Sequence, residues 1–238
     1  MTGTYQRVDF SAVADADLPM AFAEWQRSHA VGDRIVAELG RKRGQTPLLD
    51  VMHCAGFEAV SVRGTTLRAT RAYTLASTLG PGLRLVTCGL NPSLLAADVG
   101  VGFARKGNRF WPALVAAGIV EHERDPIAAV RGFGVGMTDL VKRPSARADE
   151  IAADEYGDGL ARLDRLAAWL EPNVICMVGL DGWRKTVDRK AVSGWQTTRL
   201  GGRPVYVMPN TSGLNASSTP ADFVAHLQRA IAGPPVKA

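Results

Sequence analysis

Cysteine is scarce in this 238-residue sequence. The three cysteines, Cys54, Cys88 and Cys176, are far apart, odd in number and set among apolar residues. No metal-ligand spacing surrounds them, so neither a disulfide framework nor a zinc site is expected, and Cys88 and Cys176 read as small core residues of strands. No apolar run reaches the roughly 18 residues of a membrane span. Met1 to Phe10 lacks the basic and apolar regions of a signal peptide. These absences lead us to expect a soluble cytoplasmic protein with no membrane partner. Nucleotide signatures are missing too. There is no Gly-x-Gly-x-x-Gly at a strand-to-helix turn and no Gly-Lys-Ser/Thr, which argues against a dinucleotide or P-loop site.

What is present is ordinary in amount. The chain is 46% hydrophobic and 21% charged, enough for one sizeable core. A formal net charge of +5 fits solubility alone, or a partner rich in phosphate.

Residues 1–80 differ from the rest and read as a mainly helical N-terminal extension of unassigned role. Ala21 to Leu39 has helical periodicity, with Phe22, Trp25, Ile35, Val36 and Leu39 as core positions, and Gly40 with the basic Arg41-Lys42-Arg43-Gly44 would end it. Pro47 opens a second helix running to Gly56. Ala59–Val62 and Leu67–Thr70 can pair as short strands, and Leu79-Gly80-Pro81-Gly82 marks a boundary. Beyond it strands and helices alternate. Strands are predicted at Leu85–Gly89, Val135–Asp139, Val174–Val178 and Val205–Met208. Helices are predicted at Phe110–Ala117, Asp154–Leu170, Gly182–Val187 and Ala221–Ala232. Short apolar strands between helices predict a three-layer α/β/α sandwich on a mostly parallel sheet over 82–232. Residues 233–238 form a frayed tail.

Three polar loops follow predicted strand ends: Asn91 to Asn108, Asp139 to Arg147, and Pro209 to Thr219. In an open α/β sheet they would converge on one crevice. Gly89-Leu90-Asn91-Pro92-Ser93 places an amide at the end of a buried strand. By itself Asn91 is either a loop residue capping its own turn or a positioned polar group. Asp139 is either a cap, a partner of Lys142 or Arg143, or a carboxylate of the crevice.

Four segments in order carry a resemblance: Gly89–Ser93, Asn108-Arg109-Phe110-Trp111, Gly136-Met137-Thr138-Asp139-Leu140-Val141-Lys142-Arg143-Pro144, and Met208-Pro209-Asn210-Thr211-Ser212-Gly213-Leu214. Together they resemble the mismatch-specific uracil-DNA and thymine-DNA glycosylase family, over roughly residues 82–232. The resemblance implies hydrolysis of the bond between deoxyribose and a uracil or thymine flipped out of a mismatched duplex. It implies no metal or other cofactor, a monomer, and mismatched or damaged double-stranded DNA as partner, with nucleoid association in a bacterium.

The resemblance also implies residue roles. Asn91 falls on the catalytic Asn; an amide has no useful basicity, but its oxygen can orient a water. Asp139 falls where relatives vary; a carboxylate there can accept the water's proton or stabilise a cationic sugar. Leu90, Phe103 and Asn210 fall at the base pocket, with Phe103 as the aromatic that stacks on the base. Gly213, Leu214 and Asn215 fall on the DNA-facing loop, with Leu214 as a wedge. Otherwise Phe103 is a core residue and Asn210 a turn residue. Arg105, Lys106 and Arg109 in the first loop, and Lys142, Arg143 and Arg147 in the second, are either phosphate contacts or solvated charges. The chain departs from the pattern at Ser93, where Gly is usual, and in Gly100-Val101-Gly102. It also carries Asn215-Ala216 where bacterial relatives have an Arg that touches the partner strand. Two other classes fit the same fold: a DNA-lesion binder without catalysis, and a nucleoside hydrolase.

Overall fold

Residues 5–235 are described by the structure, a computed structural model. Val236 to Ala238 of the expected frayed tail lie outside the described residues, as do residues 1–4.

The second half of the chain is built on a five-stranded sheet. Its strands are β5 (Leu85–Gly89), β6 (Val135–Asp139), β7 (Ile175–Val178), β8 (Gly194–Trp195) and β9 (Val205–Met208), in the order β6-β5-β7-β9-β8. All neighbours are parallel except β8, which runs antiparallel to β9. β5, β6, β7 and β9 are buried along their whole length. That is why they read as apolar runs and not as alternating patterns.

The pleat then sorts their side chains by face. Cys176, Val178, Tyr206 and Met208 pack with helices α4 (Phe110–Ala116), α5 (Pro126–Phe133) and α8 (Pro220–Ala232). Ile175, Met177, Val205 and Val207 pack on the other side with α6 (Ala153–Leu170) and α7 (Leu180–Thr186). The expected three-layer architecture is the observed one. Helix α3 (Leu94–Val99), inside the first predicted loop, was not expected; Ser93 caps it by accepting from the Ala96 N–H at 3.2 Å.

The N-terminal region is not mainly helical, contrary to expectation. It holds a four-stranded sheet of β1 (Gln6–Asp9), β2 (Arg34–Glu38), β3 (Phe57–Arg63) and β4 (Thr66–Arg71), ordered β1-β2-β4-β3, beside helices α1 (Leu18–Arg27) and α2 (Gln45–Cys54). The predicted Ala21–Leu39 helix ends at Arg27. A turn through Gly32, at φ 88°, leads into β2, which pairs antiparallel with β4. Ile35, Ala37 and Leu39 point inward at a period of two, and Val36 points outward. Strand pairing has overridden an apparent helical period. The expected pairing of the two later segments is present as β3 with β4.

One apolar cluster joins the N-terminal elements to the rest: Phe22, Met52 and Phe57 share it with Leu79, Val86, Leu166 and Leu170. Across the same seam Arg165 binds Asp50 through two hydrogen bonds, of 2.7 and 2.8 Å, and Arg27 donates to the Gly100 carbonyl at 2.9 Å. The N-terminal unit thus braces the back of the sheet and one of the site loops.

Candidate active site

The parallel strands end together, at Gly89, Asp139, Val178 and Met208. The chain passes from β5 to β6 on one side and resumes with β7 on the other, so the strand order reverses beside β5. Ligands of open α/β sheets bind at such a reversal. Two adjoining hollows lie there, of about 610 and 260 Å³. Gly89, Leu90, Ala148 and Ser212 line both.

The smaller hollow collects Asn91, Phe103, Arg105, Asp139 and Ser145. Backbone pairing between the first two loops continues past the strand ends. The Leu140 N–H donates to the Gly89 carbonyl at 2.9 Å, the Val141 N–H to Leu90 at 2.9 Å, and the Ser145 N–H to Pro92 at 3.1 Å. Asn91 is fixed inside this zipper. Its Nδ2 donates to Ser145 Oγ at 2.9 Å, to the Arg143 carbonyl at 3.1 Å and to the Pro92 carbonyl at 3.2 Å. Two of those partners are carbonyls, which only accept, so the amide nitrogen must face them. Oδ1 is therefore turned the other way. Ser145 is a site residue that sequence reading missed; a serine after a proline in a polar loop carries no distinguishing signal.

Asp139 is 8% exposed. Burial pushes its carboxyl above the usual carboxylate range, against the opposing pull of Lys142 and Arg162. Helix α6 sets its backbone. Arg162 donates to the Leu140 carbonyl at 2.7 Å and to that of Asp139 at 3.3 Å. Gly159 lies so close that a Cβ there would sit 1.9 Å from the Leu140 oxygen. At Gly89 a Cβ would lie 2.7 Å from Asp139 Oδ1 and 3.4 Å from the Phe103 ring. The missing side chain is what lets both the carboxyl and the ring pack against this strand end. Phe103, at φ 56°, stacks on Phe110 with centroids 3.9 Å apart.

Leu90, Asn210, Leu214 and Asn215 line the larger hollow. Asn210 Oδ1 accepts from the Ser212 N–H at 3.2 Å, the turn bond that was the alternative reading for it. It does not line the hollow of Asn91 and Asp139. Leu214 is 88% exposed at the tip of its loop, and Gly213 beside it packs against the backbone of Gly107. Asn215 turns inward, donating to the Asn210 carbonyl at 2.7 Å.

The basic residues separate. Arg105 and Lys106 are exposed, and Arg105 lines the smaller hollow. Lys142, expected on the DNA-facing surface, is instead 4% exposed, and its ammonium donates to the Leu75 carbonyl at 2.5 Å and to Ser77 Oγ at 3.0 Å. A polar-loop lysine has been turned inward by acceptors from a segment more than sixty residues earlier. Arg143 makes two hydrogen bonds to Glu155, of 2.9 and 2.7 Å, so its charge is already paired. Arg147 pairs with Asp149. Arg109 is committed to loop carbonyls instead of facing solvent as a phosphate contact.

Among the described residues no group of three or more His, Cys, Asp or Glu side chains is placed to hold a metal, and no helix is long and apolar enough to cross a membrane. A buried carboxyl, a clamped amide and a stacked aromatic thus share one hollow beside an exposed leucine. A family model described as the uracil DNA glycosylase superfamily matches residues 76–231, which include all of these groups. The chain belongs to the uracil DNA glycosylase superfamily, hydrolases that act on uracil in DNA.

Proposed function

We propose that the chain is a monofunctional glycosylase that hydrolyses the N-glycosidic bond of a uracil flipped from mismatched duplex DNA, the first step of base excision repair. Thymine and other damaged bases are further candidate substrates. The observation that carries the reading is the Asn91 clamp. Three acceptors hold Nδ2, and Oδ1 is left to orient a water in the same hollow as Asp139 and Phe103.

In this reading the flipped base lies against Phe103 and leaves with the electron pair of the broken N-glycosidic bond, to be protonated from solvent. The sugar meanwhile develops cationic character and takes up the water's oxygen. Asp139 accepts the water's proton or stabilises the sugar charge, a role that its place in the same hollow as Asn91 favours. Leu214 fills the gap in the stack, as apolar wedges do. Preference for a mismatch follows from the lower cost of extruding a poorly paired base. A strand-cleaving lyase would need an amine nucleophile. Among the described residues no lysine lines either hollow, and Lys142 Nζ is tied to Leu75 and Ser77. Arg105, exposed at the smaller hollow, and its exposed neighbour Lys106 remain candidate phosphate contacts.

Purified protein should release free uracil from a G·U duplex and leave an abasic strand that breaks only on alkali treatment. No release from G·U, A·U or single-stranded uracil DNA would overturn the proposal. Strand cleavage without alkali would overturn its monofunctional part.

A further inference from the structure

The segment Asn108-Arg109-Phe110-Trp111 has no part in the chemistry proposed above, yet its four side chains reach two separate loops of the site. Two face the loop that carries Phe103. Phe110 stacks on the Phe103 ring, and Trp111 Nε1 donates to the Gly102 carbonyl at 2.8 Å. The other two face the loop that carries Leu214. Asn108 Oδ1 accepts from the buried Thr211 hydroxyl at 2.9 Å and also from the Phe110 N–H at 3.0 Å. Arg109 spreads its guanidinium over three carbonyls: Ser212 at 2.7 Å, Asn215 at 2.5 Å and Ser218 at 3.0 Å. The same guanidinium lies 4.8 Å from the centre of the Phe223 ring, on α8, and the Arg109 N–H donates to the Thr211 carbonyl at 2.9 Å.

The Leu214 loop has little else to hold it. Its tip is exposed, and its remaining hydrogen bonds run within itself, from Asn215 to Asn210, from Ser217 to Asn215 and from Leu214 to Ser212. A planar fork that binds several acceptors at once fixes orientation in a way a point charge cannot.

We propose that this segment is a positioning element that ties the wedge to base capture, with Arg109 as its central positioning residue. Entry of Leu214 into the stack and arrival of the base on Phe103 are then one linked event, because one helix start holds both loops. The inference rests on the proposed base flipping. It predicts a penalty that depends on how firmly the base is paired, not a uniform loss.

The test is single-turnover uracil release by the full chain from three duplexes: uracil opposite adenine, opposite guanine, and opposite a tetrahydrofuran abasic analogue that offers no pairing partner. Arg109→Gln should slow the A·U duplex by about tenfold or more, G·U less, and the unpaired duplex least. Arg109→Lys should fall between wild type and Arg109→Gln. In a Leu214→Ala background the Arg109 substitution should cost nothing further, because the linked partner is already gone. Should Arg109→Gln fail to fold, Thr211→Val removes the Asn108 bond with little change of shape and should show the same order of duplexes. An equal loss on all three duplexes, or additive losses in the double variant, would overturn the linkage while leaving the glycosylase reading intact. A wild-type protein that releases no uracil from any duplex would overturn both.

Discussion

The two sides of the site are held in opposite ways. Around Asn91 the backbone is zipped to its neighbouring loop, the amide has three acceptors, and Asp139 is nearly sealed from water. Around Leu214 the apolar side chain stands in solvent on a loop anchored by the Asn108–Arg109 pair. The contrast is what the two roles proposed for these residues would need. Orienting a water on a sugar needs groups that do not move, since reorganisation is avoided only when the geometry exists beforehand. Entering a base stack needs a protruding group whose burial is deferred until DNA is present.

Substitutions can break this contrast from either side. The largest effect is expected at the rigid side. Asn91→Ala should lower the single-turnover rate by about 10²–10³-fold with DNA affinity nearly unchanged, read from rate and binding titrations on the same G·U duplex. Asp139→Asn should follow, with a loss of about 10²-fold on the high-pH plateau. The carboxyl is raised above its ordinary value, and a proton acceptor works only when ionised. The wild-type rate should therefore rise with pH through that raised value and fall as pH drops below it, and Asp139→Asn should lose this acid limb. A variant profile with the same limb would remove Asp139 from the chemistry.

On the exposed side, Leu214→Ala should cost about tenfold on A·U, and less where the uracil is unpaired. Equal loss on paired and unpaired uracil would mean that the leucine does not act as a wedge. The smallest effect concerns stability. A carboxyl raised in the folded state keeps its proton where the unfolded chain has lost it. Stability then falls as pH rises from the ordinary 3.8 through the raised value. Asp139→Asn should thus melt at the same temperature as wild type or a few degrees higher at neutral pH, with the advantage gone below 3.8. Lys142 and Arg162 keep their own partners at Leu75, Ser77 and the 139–140 carbonyls, so the substitution leaves them satisfied.

Much of the glycosylase half was legible because its strands are buried on both faces and punctuated by glycine or proline. Leu85–Gly89, Val135–Asp139 and Val205–Met208 have the same limits in sequence and structure. The N-terminal half was less so. Ile35 and Leu39 sit at helical spacing from Phe22 and Trp25, but β4, thirty residues later, recruits them into a strand. Helix α5 carried a local signal that went unused: Asp125 accepts from the Ala128 N–H at 2.9 Å, with Pro126 in the first turn. At the site, the four motifs of the resemblance, and not the residue types by themselves, marked Asn91, Asp139 and Leu214 as candidates. Sequence could not reveal how they are held. The Ser145 clamp, the inward Lys142 and the Arg109 fork each depend on acceptors distant in the chain, and charge alone made those two basic residues look like surface contacts.

The proposed mechanism depends on Asn91 orienting the attacking water. The most direct test is the single-turnover rate of uracil release from a G·U duplex at saturating protein, for wild type and Asn91→Ala. Wild type should release uracil measurably, and the variant at least about 10²-fold more slowly, with the duplex still bound. A variant that binds the duplex and releases uracil within about threefold of wild type would contradict it.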